Sequence, residues 1–111
     1  MVLHAEKAIA FLADAPEDLA RDEKTLFAIL RALEVLGEAS KRVPSDWRAR
    51  HPEIPWREMA GMRDKLIHGY FGIDVNVVRR TVLEDLPPLL VSLRRLLDEM
   101  DRETRSGNER T

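Results

Sequence analysis

No cysteine occurs among the 111 residues. Disulfides and thiolate metal sites are therefore excluded, which fits a reducing, cytoplasmic setting. Aromatic residues make up only 5% of the chain, few for the packed layers of a β-sandwich. No apolar run approaches the ~20 residues that cross a bilayer, so no membrane role is expected. The N-terminus lacks the basic-then-apolar layout of a secretion signal. A net charge of −2 gives no overall attraction to nucleic acid. His4, His51 and His68 show no ligand spacing, so neither a metal nor a cofactor is expected.

What is present is helical. With 44% hydrophobic and 34% charged residues, the composition is that of a helix-rich globular chain. The length suits one domain, read as residues 1–103 with a flexible polar tail over 104–111. Residues 2–14 have a helical apolar side, ended at Asp14-Ala15-Pro16 because a residue before proline avoids the α region. Residues 22–42 give the clearest helix. Leu26, Ile29, Leu30, Leu33, Leu36 and Val43 form its stripe, Phe27 widens it, and Asp22 is the cap. Gly37 in this helix costs roughly 1 kcal/mol against alanine, so close packing on another backbone is expected there.

Ser45–Arg50 suits a short helical turn, and Trp47 and Trp56 suit covers for the bundle ends. Pro55 starts a central helix running to about His68, with Gly69 just beyond its end. Asp74 caps the next helix, and Asp85-Leu86-Pro87-Pro88 predicts a break or kink. Leu89, Leu90, Leu93, Leu96, Leu97 and Met100 make the last stripe. The fold class expected is all-α, an antiparallel bundle of four to five helices. The short first helix leaves an apolar face that a homodimer would cover.

Charge is unevenly spread. Between Arg48 and Arg80, Arg48, Arg50, Arg57, Arg63, Lys65, Arg79 and Arg80 outnumber Glu53, Glu58, Asp64 and Asp74. This middle stretch also concentrates the chemistry: Arg63, His68 and Tyr70 fall within eight residues. An offset of five turns a residue about 140° around an ideal helix, but only ~7.5 Å along it. An arginine stem can span that gap where the helix ends. Arginine offers permanent, two-pronged recognition of phosphate, and histidine titrates near neutrality. RNA brings its own nucleophile in the 2′-OH, so this pair could hold a phosphodiester and move a proton without a metal. One histidine does not easily serve as base and acid together, whereas a dimer would supply two. The plainer alternative is that Arg63 pairs with Asp64 or Glu58 while His68 ends the helix. Glu38, flanked by small residues, reads either as an inward carboxylate or as a surface one.

The pattern Arg63-Asp64-x-Leu66-x-His68-x-Tyr70 resembles the signature of the HEPN superfamily, with the added tyrosine of its HepT branch. Leu33–Arg42 resembles that branch's second helix. His51–Arg57 with Gly61-Met62-Arg63 resembles its approach to the motif helix, and Leu66–Asp74 and Asp85-Leu86-Pro87 also match. The likeness covers about residues 24–100. It implies a HEPN-like helical homodimer that is the toxin of a toxin–antitoxin module. The implied activity is that of a metal-independent endoribonuclease, with catalytic Arg63 and His68 at the dimer cleft; Asp64, beside Arg63, and Glu38, from its place in the helical sequence, are the supporting residues expected. The implied partners are RNA and an MntA-like nucleotidyltransferase antitoxin that AMPylates Tyr70. A second reading is a non-catalytic HEPN module that docks a nucleotidyltransferase. Two departures stand out: Asp64 occupies a place often held by asparagine, and the first helix is short.

Overall fold

Asp22 starts the helix on which the rest is assembled. Its carboxylate accepts from the Thr25 amide at 3.2 Å and the Thr25 hydroxyl at 2.7 Å. These bonds satisfy an amide left free at the helix start and hold the Asp22 carboxyl below its usual range. The structure, a computed structural model, describes residues 1–15, 18–68 and 72–109, without the side chains of Arg63, Ile67, His68, Asn108 and Glu109. In order, α1 is Val2–Ala13, followed by a 3-10 turn at Leu19–Arg21, α2 (Glu23–Lys41), α3 (Ser45–Arg50), α4 (Trp56–Ala60) and α5 (Met62–Leu66). A minimal antiparallel pair follows, β1 (Ile67–His68) with β2 (Gly72–Ile73), then α6 (Val75–Arg80), a π-helical stretch Thr81–Asp85, and α7 (Leu86–Glu109). The all-α class holds, with these two-residue strands as its one non-helical pairing among the described residues.

The α2 stripe is buried as the spacing predicts: Ile29, Leu33 and Leu36 are fully enclosed, and Leu26 nearly so. α1 packs between α2 and α7, while α4 and α5 lie on α2. Phe27 does not widen the buried stripe; it is 53% exposed, as Leu97 is at 47%. Each sits at the flank of its helix, one step around from the positions that face the core. Leu3, Leu83 and Val91 are also exposed.

Gly37 makes the close approach its position suggests. A Cβ there would stand 2.6 Å from the Met59 carbonyl oxygen, closer than real contacts allow. The absent side chain lets the α4 backbone rest directly on α2.

The expected break at Pro87 and Pro88 does not occur. α6, the π stretch and α7 form one rod, whose roughly 50 Å length at ~1.5 Å per residue accounts for the 55 Å long axis of the molecule. Proline in a helix lacks a donor and collides with the carbonyl four residues back. The π stretch relieves this by widening the turn just before them, and Leu86 N–H donates to Thr81 O, five residues back. The helix also continues beyond residue 103, through Glu109, with the side chains of residues 101–107 exposed.

Gly37→Ala is expected to destabilise the chain by roughly 1–3 kcal/mol, because the methyl must push α4 off α2. Gly107→Ala, with open space around it, is expected to be neutral or stabilising by up to ~1 kcal/mol. Urea unfolding of both variants checks the difference, and equal effects would contradict the close contact.

Candidate active site

The motif segment is built as two short helices and an extended exit. Gly61 separates α4 from α5, yet Gly61 N–H still donates to Arg57 O at 3.0 Å and Lys65 N–H to Gly61 O at 3.2 Å. The join is therefore a kink rather than a loop. Met59, Met62 and Leu66 recur at spacings of three and four, and all are buried against the core. That fixes the rotation of the segment and turns Asp64 and Lys65 outward.

The helix ends sooner than its sequence suggests, at Leu66 instead of near His68. Ile67 and His68 are already extended, paired in register with Ile73 and Gly72. Asp74 N–H donates to Leu66 O at 3.3 Å, closing the base of this hairpin. Gly72 has φ +79°, a conformation glycine accepts readily. Asp74 then caps α6 through the amides of Asn76 and Val77 at 3.1 and 3.2 Å. Competition from this pairing, invisible to a helical periodicity, is what shortens α5. A five-residue helix carries little dipole, so that influence on His68 is weaker than a full-length helix would give.

The backbone puts Arg63 in the first turn of α5 and His68 just past its end. Their side chains lie outside the described residues, as do Gly69 and the whole of Tyr70. Asp64 is exposed beside Arg63 in the chain. Glu38 faces solvent, its side chain 62% exposed and 3.2 Å from Lys41 Nζ. The surface reading of Glu38 is thus the one seen, because the inward positions of that turn go to Leu36, Gly37 and Ser40. Lys65 Nζ lies 3.6 Å from Asp85 and ties α5 to the π stretch.

A latch ahead of the motif helices escaped the sequence reading. His51 is buried at 6% exposure. Its Nδ1 lies 3.1 Å from Glu53 Oε1, and its Nε2 lies 2.9 Å from Glu99 Oε2, at ion-pair distance without hydrogen-bond alignment. Trp47 stacks on it with ring centres 6.3 Å apart, and Trp56 Nε1–H donates to His51 O at 3.0 Å. Arg50 lies 4.0 Å over Trp47 and pairs with Glu103 at 2.8 Å. That hydrogen bond raises the Arg50 pKa further. Both tryptophans therefore work as packing around His51 and Arg50, and it is the His51–Glu99 and Arg50–Glu103 pairs that tie this stretch to α7. Only Pro52, Pro55 and the aromatic spacing could have signalled the turn; Glu99, far away in sequence, could not.

The all-helical bundle seen among the described residues is the architecture expected of a HEPN-type domain. Residues 3–96 match the family described as ribonuclease HepT-like, and the chain belongs to that family. It is 64% identical over 73 residues, 66% of each chain, to a protein of Thermococcus cleftensis named probable ribonuclease HepT. It is also 41% identical over 83 residues to a protein of Caldanaerobacter subterraneus named as a putative RNase, covering 75% of this chain and 74% of that one. A similarly named protein of Methanocaldococcus jannaschii is 38% identical over 87 residues, covering 78% and 75%. No solved structure matches. Among the described residues no helix is long and apolar enough to cross a membrane.

The Glu53 carboxyl is held below its usual range, first by its own backbone amide and then by His51. A depressed carboxyl stabilises the fold above its ordinary pKa, and the contribution is lost as pH falls through the folded value. Glu53→Gln is therefore expected to lower Tm at neutral pH, with the two melting profiles converging in acid. Profiles that remain parallel down through the carboxylate range would show that the latch carries no ionic stabilisation.

Proposed function

We propose that this chain is the toxin of a toxin–antitoxin module, a metal-independent endoribonuclease acting as a homodimer. The observation that carries the reading is family membership across residues 3–96, together with an Arg63–His68 spacing that straddles the end of α5. Arg63 contacts the scissile phosphate and stabilises charge as it builds on the phosphoryl oxygens. His68 of one subunit removes the proton from the ribose 2′-OH, and the 2′ oxygen attacks phosphorus. The bond to the 5′ oxygen breaks, and the His68 of the second subunit returns a proton to that leaving oxygen. The products are a 2′,3′-cyclic phosphate and a 5′-OH. Asp64, exposed beside Arg63, orients the guanidinium. Glu38 stands as an outer support, one helix away and paired to Lys41.

Exposed Leu3 and Leu97, which line one apolar pocket between α1 and α7, support the dimer, since adjoining apolar side chains on so small a domain favour a covering surface. Neutralisation comes from an MntA-like nucleotidyltransferase, which transfers AMP from ATP to the Tyr70 phenol oxygen and releases pyrophosphate. The anionic adduct then competes with RNA for Arg63 and crowds the groove.

His68→Ala is expected to abolish RNA cleavage, and with it the growth arrest caused by expression, while the sedimentation of the chain stays unchanged. Cleavage that survives in that variant would discredit the ribonuclease reading and favour a non-catalytic docking module. Tyr70→Phe is expected to cleave normally and to gain no AMP mass when co-expressed with the partner. An adduct that persists on Tyr70→Phe would place the modification elsewhere.

A further inference from the structure

A groove of about 420 Å³ runs between the α4–α5 segment and the rod formed by the π stretch and α7. Its floor is apolar, made by Met59, Met62, Leu86 and Leu89 with Pro55 and Pro88 at the sides. Among the described residues its rim carries Glu53, Glu58, Glu84 and Asp85 against one cation, Lys65, which Asp85 already engages at 3.6 Å. The rim side chains of Glu53, Lys65 and Asp85 are 55, 56 and 56% exposed, so a partner can reach them even though Glu53 also meets His51 and Asp85 meets Lys65. Glu84 and Asp85 are the last two residues of the π stretch, a distortion often found where helices do something other than pack.

The chemistry of this groove is opposite to that of a nucleic-acid site. A phosphodiester laid along it would meet four carboxylates, and an anionic lipid surface would meet the same repulsion. Bulky aliphatic side chains suit the floor, and cations suit the rim. We infer that this groove docks a cationic, amphipathic segment of a partner protein, with leucine-like side chains on the floor and lysine or arginine at the carboxylates. Docking here grips both walls at once, the motif-bearing helices on one side and the long rod on the other. The inference stands whether or not the chain cuts RNA.

The test uses the full chain with methyl-labelled methionine, because only four methionines occur. Met59 and Met62 line this groove, while Met1 and Met100 line a separate apolar pocket between α1 and α7. The probes are three synthetic helical peptides of equal length: leucine with lysine, leucine with glutamate, and serine with lysine. The leucine–lysine peptide is expected to shift the Met59 and Met62 signals, to bind at least tenfold tighter than either control, and to weaken as salt rises. Glu84→Lys and Glu58→Lys, one on each wall, are each expected to reduce that affinity at least tenfold with unchanged circular dichroism. Four outcomes would overturn the assignment. These are shifts confined to Met1 and Met100, equal binding of the serine–lysine peptide, wild-type affinity in both variants, or a short RNA moving the same two methyls.

Discussion

Everything near the motif depends on one steric allowance. Because position 37 has no side chain, the Met59 carbonyl can sit where a methyl would otherwise be, 2.6 Å from a would-be Cβ. Two helices thereby approach backbone to backbone, and Met59, Met62 and Leu66 reach the core around Leu33 and Leu36. A displacement of α4 would carry α5 with it, and the hairpin after α5 as well, since Asp74 N–H is bonded to Leu66 O. The motif segment is too short to be stable alone: helices of five residues fall far below the ~12–15 at which isolated helices become even marginal. Its geometry is borrowed from α2 below and from the His51 latch ahead.

That dependence explains what the sequence could and could not disclose. α2, its Asp22 cap, the Asp74 cap and the close contact at Gly37 follow from local rules of periodicity, capping and glycine cost, and the structure shows them. The failures are non-local. Pro87 and Pro88 break an ordinary helix, but not one widened by a π stretch that α1 packs against. The pairing of Ile67 with Ile73 ends α5 early. His51 looks like one histidine among three until Glu99, on another helix, is found beside it. For the candidate site, Arg63, His68 and Tyr70 were picked out by residue type and spacing. The backbone around Arg63 and His68 is set by the pairing of β1 with β2, which a periodicity does not specify. Glu38 went to the surface because Gly37 and Ser40 already occupy the inward side of its turn.

The charge pattern has the same divided character. The excess of cations between residues 48 and 80 is real in the sequence, yet part of it is consumed internally. Arg50 is committed to Glu103, and Lys65 to Asp85. Arg63, at the start of α5, belongs to the surface proposed for RNA, while the face of the same helices that meets α7 is rimmed by carboxylates. One short segment thus carries both the arginine proposed to meet RNA and a groove wall rimmed by carboxylates. An anionic substrate and a cationic protein partner would have no cause to compete for the same patch.

The most direct measurement is of the ends left on RNA cut by the purified chain in the presence of EDTA. Proton transfer by paired histidines predicts continued cleavage, with 2′,3′-cyclic phosphate and 5′-hydroxyl termini. Fragments ending in 3′-hydroxyl and 5′-phosphate, or cleavage that appears only after a divalent ion is restored, would contradict it.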